Sequence, residues 1–171
     1  VPDMKTFPRI LWGPDFYPIE HQFSKKGADY LSGRGIPLEI AQHYGLRYNP
    51  IERRVAFPVG YQGSLFGWQA RYVGQTEWFD VEANKEVRIP KILSTDSLSG
   101  QRDKLVQFAD QLVGTDQAIL CEGPVDAIKC HLCQPQPGVP AGNIDTMGKV
   151  VSDQQIALIK YSGIKRVYLA L

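Results

Sequence analysis

Cysteine is scarce in this sequence, with three residues in 171. An odd count, with Cys130 and Cys133 only three positions apart, argues against a disulfide framework and indicates reduced thiols in a cytoplasmic compartment. Long apolar runs are also lacking, so the sequence predicts no membrane-spanning segment, no signal peptide and no membrane partner. Internal repeats and low-complexity segments are absent as well. What remains is the profile of a globular cytoplasmic protein.

A strong charge of either sign is missing too. Nineteen basic and eighteen acidic side chains give a net charge of +1, so bulk charge does not indicate a nucleic-acid-binding protein. The local balance differs, because Arg47, Arg53, Arg54 and Arg71 lie in a stretch whose single acid is Glu52. An apolar content of 43% is ordinary for a folded chain, and this length is sufficient to bury a core.

The hydrophobic pattern divides the chain into a lead-in segment (1–23), a first subdomain (24–115) and a second subdomain (116–171). Alternating residues over 54–59 and again over 66–72 predict an antiparallel hairpin with one apolar and one polar face. The second subdomain alternates short apolar strands with helices, which is typical of a parallel sheet with crossover connections. The predicted fold class is therefore α/β, with an α+β N-terminal part before a parallel-sheet part.

Turn and capping signals predict the remaining elements. Ser152 followed by Gln155 forms a capping-box signature at the start of one helix. The last apolar run, 166–171, is predicted to be a central buried strand whose carboxyl end lies beside that of the strand at 118–121. Helices are predicted at 24–31, 37–44, 102–112, 124–133 and 152–163, a strand at 143–147, and a surface excursion at 74–90.

Two carboxylates follow the predicted strand at 118–121. Glu122 stands at its carboxyl end, and Asp126 is the third residue of the next helix. In open α/β sheets, ligands bind outside the carboxyl ends of the strands. Hard oxygen ligands suit Mg²⁺ or Mn²⁺ shared with substrate phosphates. On spacing alone, an equally weighted alternative is a solvated strand end and a favourable acid in a first helical turn.

The residues at 119–127, ILCEGPVDA, resemble the opening motif of the TOPRIM domain, which bacterial-type primases, topoisomerases and some nucleases share. That motif does not separate these classes. The first half of the chain is similar to the polymerase core of bacterial- and phage-type DNA primases in four segments: YLSGRGIP at 30–37, RVAFPV at 54–59, GWQAR at 67–71 and PKILST at 90–95. The combined resemblance extends from about residue 24 to residue 171.

The resemblance implies roles for six residues. Glu122 would be catalytic, as a metal ligand or as a proton-transfer group at the attacking 3′-hydroxyl, and Asp126 would assist the same Mg²⁺ or Mn²⁺ site. Binding of template or nucleotide phosphates would fall to Arg54, Arg71, Lys91 and Lys104. The implied reaction is synthesis of a short RNA primer from ribonucleoside triphosphates on single-stranded DNA, by metal-assisted in-line displacement.

One departure from the family pattern bears on activity. The family has an Asp-x-Asp pair directly after the strand that here ends at Leu171, and those acids are not among the 171 residues. We therefore expect a partial TOPRIM domain with an incomplete metal site, and a chain that is inactive alone. The resemblance also implies a replicative helicase as partner, through a C-terminal region outside this sequence. The expected location is the bacterial cytoplasm, or the host cytoplasm for a phage protein.

Zinc is the competing metal. Cys130, His131 and Cys133 have no second ligand pair at a suitable spacing, and Cys121 is the one cysteine left over, so zinc is not predicted. Two other functions stay open. One is a TOPRIM nuclease or topoisomerase fragment, and the other is a catalytically silent nucleic-acid-binding module of the replisome.

Overall fold

The computed structural model describes residues 4–133 and 141–171. The chain divides into two compact units that interleave along the sequence. Unit 1 consists of Val1–Leu11, Pro58–Trp68 and Thr95–Leu171, and unit 2 consists of Trp12–Phe57 and Gln69–Ser94. The domain boundaries predicted after residues 23 and 115 stay predictions. Within the described residues, no helix has the length and apolar character needed to cross a membrane.

The described residues form four α-helices and ten strands. The helices are α1 Lys25–Gly33, α2 Leu38–His43, α3 Pro124–Lys129 and α4 Asp153–Tyr161. The strands are β1 Tyr17–Pro18, β2 Arg47–Asn49, β3 Arg54–Tyr61, β4 Ser64–Tyr72, β5 Glu77–Asp80, β6 Lys85–Arg88, β7 Ile92–Ser94, β8 Gln117–Cys121, β9 Gly142–Asp145 and β10 Arg166–Ala170. They make a five-stranded sheet in the order β1-β2-β3-β4-β7, a parallel sheet in the order β10-β8-β9, and a two-stranded sheet of β5 and β6. This confirms the predicted mixed α/β fold.

The predicted hairpin is present as β3 and β4. Gln62 and Gly63 connect the two strands, and both have positive φ angles. A two-residue hairpin turn needs positive φ angles at both positions to match the twist of the strands that it joins. The face predicted to be polar is not exposed, however. Arg54 and Gln69 are buried together with the apolar face. Alternation of residue types located the strands, but other parts of the chain cover both of their faces.

Two of the three parallel strands of unit 1, β8 and β9, contribute to its buried core. β8 lies between β10 and β9, and Leu120 of β8 pairs in register with Leu169 of β10 and Ile144 of β9. Leu120 and Ile144 pack against Leu158 of α4 in one buried cluster. Cys121, the next residue of β8, instead contacts Cys130 at the end of α3. Because neighbouring residues of a strand point to opposite faces, α3 and α4 cover opposite faces of the sheet.

The predicted capping box is confirmed at the start of α4. The amide of Gln155 donates to the Ser152 side chain, and the Gln155 side-chain oxygen accepts from the Ser152 amide. The side-chain nitrogen of Gln155 also donates to the carbonyls of Arg102, Leu105 and Thr146, at 3.0, 2.8 and 3.2 Å. One buried glutamine therefore connects α4, the segment before β8 and the end of β9.

The prediction of a helix at 102–112 is wrong. Arg102–Lys104 and Ala109–Leu112 form separate 3₁₀ turns, with Phe108 in the left-handed region between them. Between the turns, Gln107 forms an isolated antiparallel bridge with Asp145, the last residue of β9. The segment therefore covers the outer edge of β9. Gly142 permits the approach, because a Cβ atom there would collide with the carbonyl oxygen of Gln111.

Three further predictions are corrected in detail. The strand at 166–171 is not central, because β10 lies at the edge of the parallel sheet and most of its side chains are exposed. Its carboxyl end does lie beside that of β8, since Ala170 pairs with Cys121. The surface excursion at 74–90 contains the regular hairpin β5–β6. The helix predicted to begin at Pro37 begins at Leu38, and Pro37 is its N-cap.

Candidate functional site

The carboxyl end of β8 carries the predicted acid pair. Glu122 follows the last residue of this buried strand, and Asp126 lies in the first turn of α3, after the N-cap Gly123 and Pro124. Both acidic residues are exposed. Within the described residues, neither carboxylate has a hydrogen-bond or salt-bridge partner. Two solvent-facing carboxylates at a fixed strand end are free to bind a cation.

A third acid at this edge was missed by the sequence analysis. Asp145 is the last residue of β9, pairs in register with Cys121, and is fully buried. Its Oδ1 atom accepts from the Met147 amide at 2.8 Å, whereas Oδ2 has no hydrogen-bond partner among the described residues. The available signal was an acid in the middle of the strand predicted at 143–147, but its burial depends on the segment around Gln107.

Burial sets the protonation of Asp145. Removal from water raises the pKa of this carboxyl to about 8, the Met147 amide acts in the opposite direction, and the negative charge of Asp126 raises it further. Burial likewise raises the pKa of the Cys121 thiol to about 12, and the neighbouring Cys130, Asp126 and Asp145 add to that shift. The buried layer beneath the exposed acids is therefore neutral near pH 7.

The ligand set fits a hard divalent cation only in part. Glu122 and Asp126 offer carboxylate oxygens, which Mg²⁺ and Mn²⁺ prefer. In the part of the chain that the structure describes, however, no group of three or more His, Cys, Asp or Glu side chains is arranged to hold a metal ion. The acid pair would therefore have to share its cation with water or with phosphate oxygens.

Lys104 belongs to the same unit as the acid pair. It ends a 3₁₀ turn, is half-buried, and donates to the Gln101 side chain at 3.3 Å. A cavity of about 590 Å³ is lined by Lys104 and Gln101, by residues 6–8 and by the first turns of α4. The bonds from Gln155 to the carbonyls of Arg102 and Leu105 fix the backbone on either side of Lys104.

The basic pair Arg71 and Lys91 lies in unit 2. Arg71 is near the end of β4 and pairs in register with Ile92, the first residue of β7. Lys91 precedes that residue, and its carbonyl accepts from the Tyr72 amide at 3.0 Å. Lys91 is exposed and Arg71 is half-buried. Among the described residues, neither side chain has a hydrogen-bond or salt-bridge partner, so both cations are available to an anion.

Arg54 differs from this pair. It is buried, its guanidinium donates to the Pro90 carbonyl at 2.7 Å and to the Ala70 carbonyl at 3.4 Å, and it lies over the Tyr72 ring. Burial lowers its pKa, although the charges of Glu52 and Tyr72 oppose that change. These contacts argue against the phosphate contact that the sequence predicted for Arg54. Its guanidinium instead holds the segment before β7 against β4.

The six predicted residues thus divide between the two units. Unit 1 holds Glu122, Asp126 and Lys104, and unit 2 holds Arg71, Lys91 and Arg54. Glu122 directly follows β8 and Asp126 lies in α3, the next helix. Arg71 lies in β4, and Lys91 directly precedes β7, which pairs with β4.

Comparison with solved structures identifies the fold, whereas no protein-family model and no curated protein sequence matches the chain. The chain is similar to the zinc-binding and RNA polymerase domains of the Aquifex aeolicus primase, with a TM-score of 0.61 at 17% identity over 88% of this chain and 43% of that one. The E. coli primase catalytic core gives 0.60 at 17% identity, over 89% and 56%.

A DnaG primase catalytic domain bound to single-stranded DNA gives the same TM-score of 0.60, at 17% identity over 89% of this chain and 55% of that one. The chain therefore has the fold of a primase catalytic core. More particularly, it is the fold found in DnaG-type primases. The chain spans about half the length of these structures.

Proposed function

We propose that this chain is part of the RNA polymerase core of a bacterial- or phage-type DNA primase, and that residues 116–171 form part of a TOPRIM domain. One observation carries the proposal. In a chain with the primase-core fold, an exposed glutamate without a protein partner follows a buried central strand, and a second exposed acid begins the next helix. An acid in a first helical turn stabilises its helix, which accounts for Asp126, but no contact among the described residues gives the exposed Glu122 a role in stability.

The proposed reaction joins ribonucleotides on a single-stranded DNA template. Glu122 binds a divalent cation, Mg²⁺ or Mn²⁺, or takes the proton of the attacking 3′-hydroxyl, and Asp126 assists at the same cation. When bound, the cation neutralises charge on the phosphates. Arg71 and Lys91 bind phosphates of the template or of the nucleotide, and the planar guanidinium of Arg71 suits two phosphate oxygens at once. Lys104, in the wall of the cavity described above, supplies a further positive charge for binding phosphate.

Metal binding tests the acid pair directly. We expect Mn²⁺ to bind weakly to residues 1–171, and Glu122→Gln to weaken that binding about tenfold, a change of about 1.4 kcal/mol. Asp126→Asn should also weaken it. Asp153→Asn is the matched control, because Asp153 is likewise an exposed acid in the first turn of a helix in unit 1. Equal affinities in Glu122→Gln and the parent, measured by calorimetry, would contradict the site.

DNA binding tests the basic pair. The solved structure with bound single-stranded DNA supports this ligand for the present chain. Arg71→Ala and Lys91→Ala should each lower affinity for oligonucleotides uniformly across sequences, and reduce the salt slope by about one. Lys85→Ala is the control, since Lys85 is an exposed cation on the β5–β6 hairpin of the same unit. Unchanged salt slopes in both Arg71→Ala and Lys91→Ala would exclude the proposed phosphate contacts.

Primer synthesis needs more than this acid pair. Two carboxylates leave the cation weakly held, so we expect residues 1–171 alone to form little or no templated dinucleotide. The resemblance implies an Asp-x-Asp pair after Leu171, and a longer version of the protein with that pair should bind Mn²⁺ more tightly and add nucleotides. Loss of that activity in Glu122→Gln, with the fold retained, would separate an enzyme from a catalytically silent module. A helicase partner and a cytoplasmic location belong to the same proposal.

A further inference from the structure

Two cysteines bracket the acid pair in unit 1. The Sγ atoms of Cys121 and Cys130 lie 3.8 Å apart, in contact beneath the turn that carries Glu122. Cys121 ends β8 and Cys130 directly follows α3, so the eight residues between them include both acids. No disulfide is present, and Cys133, the third cysteine, is exposed.

The two sulfur atoms differ in access and in freedom to move. Cys121 is fully buried and pairs in register with Ala170 on one side and Asp145 on the other, so its backbone is fixed by the sheet. Cys130 is half-buried, at the point where α3 gives way to a single 3₁₀ turn. A soluble oxidant therefore reaches Cys130 first, and any adjustment falls on α3.

We propose that Cys121 and Cys130 form a reversible disulfide under oxidation, and that this bond moves α3 and weakens the cation site of Glu122 and Asp126. A disulfide has an S–S distance of about 2.05 Å, so the sulfur atoms must approach by about 1.8 Å. Since the β8 side is fixed, the part of this approach that side-chain rotation does not supply displaces the helix that carries Asp126 relative to the strand end that carries Glu122. Formation of the disulfide does not depend on the proposed function, whereas its effect on cation binding rests on the proposed function.

The chemistry is a two-electron oxidation with a peroxide as the oxidant. The Cys130 sulfur attacks one peroxide oxygen, the O–O bond breaks, and the products are a sulfenic acid at Cys130 and one water. The Cys121 sulfur then attacks the Cys130 sulfur, the S–O bond breaks, and the Cys121 proton leaves with the oxygen as a second water. Both thiols are oxidised and one hydrogen peroxide is reduced. A dithiol reagent reverses the bond by exchange.

The first experiment tests the bond itself. Residues 1–171 are treated with hydrogen peroxide, free thiols are alkylated, and the cross-linked peptide is identified by mass spectrometry. We expect the Cys121–Cys130 link as the first product, unchanged in Cys133→Ser and absent in Cys130→Ser. Oxidation of Cys133 alone, a link that includes Cys133, or stepwise over-oxidation of Cys130 without a link would each overturn the proposal. Cys121→Ser is not used, because a buried hydroxyl there risks the fold.

The second experiment tests the consequence in Cys133→Ser, which keeps both proposed partners. Oxidation should weaken Mn²⁺ binding at least severalfold, with full recovery after dithiothreitol, and the same treatment should leave the affinity of Cys130→Ser unchanged. A link that leaves Mn²⁺ affinity unaltered overturns the proposed effect on the cation site. Hydrogen exchange of the α3 amides gives a readout without metal and should change on oxidation. If the reduced protein binds no Mn²⁺ but these amides respond, the proposed function fails and the disulfide stands.

Discussion

β9 and β10 flank the same central strand, yet one is buried and the other is exposed. All four residues of β9 are buried, whereas most of β10 faces solvent. Residues paired in register allow a direct comparison of the two edge strands. Ile144 of β9, Leu120 of β8 and Leu169 of β10 form one row across the sheet, and their side chains are 0%, 2% and 65% exposed. The segment around Gln107 covers the outer edge of β9, and no described segment covers that of β10. Burial of an apolar strand thus depends on its neighbours as well as its composition.

The largest expected effect compares the two ends of that row. Ile144→Ala should lower the free energy of unfolding by about 3 kcal/mol, because the side chain is fully buried and its removal leaves a cavity. Leu169→Ala should change it by less than about 0.5 kcal/mol, since most of that side chain already contacts water. Urea unfolding of both variants measures the difference. Similar losses in the two would show that β10 is covered in solution.

The second prediction sharpens the contrast through Asp145, at the buried end of β9. Its folded pKa is raised to about 8 from an ordinary value of 3.8, so its stabilising contribution is complete below about pH 4 and is lost as the pH rises through about 8. Between pH 6 and 8, the protein should lose about 2 kcal/mol of unfolding free energy. Asp145→Asn should remove most of that pH dependence. A parallel decline in both proteins would locate the titrating group elsewhere.

The smallest effect on stability concerns the exposed side of β10. An edge strand with apolar side chains in water is a site for pairing with another chain. Leu169→Lys should leave the unfolding free energy within about 0.5 kcal/mol of the parent but reduce concentration-dependent association. Sedimentation velocity over a range of protein concentrations measures this, with Leu11→Lys, at an exposed residue outside the sheet, as control. Equal association in both variants would show that β10 is not the contact.

Local signals predicted some elements correctly. The turn residues of the β3–β4 hairpin, the apolar run of β8 and the capping box of Ser152 and Gln155 each depend on residues close in sequence. The position of Glu122 and Asp126 followed from the same logic, because a strand end and a first helical turn can be located from local pattern.

The remaining features depend on contacts between distant segments. Gln107 bridges to Asp145 across 38 positions, which breaks the helix predicted at 102–112 and buries an acid that the sequence analysis did not single out. Arg54 is held by the carbonyl of Pro90, 36 positions away, a contact that the phosphate role implied by the resemblance did not anticipate. No periodic pattern in the sequence predicts the pairing of Gln107 with Asp145 or of Arg54 with Pro90. Both pairings form only when distant segments come together in the folded protein.

The close approach at Gly142 has a consequence for finding relatives. Any side chain there would displace the carbonyl of Gln111 and open the cover over β9, so selection should retain glycine at this position in every descendant that keeps the cover. A side chain at Gly67 would instead collide with the side chains of Leu98 and Thr95. At identities near 17%, we therefore expect relatives with this fold to keep glycine at these two places in β4 and β9 more often than the chain average, which a structure-based alignment measures.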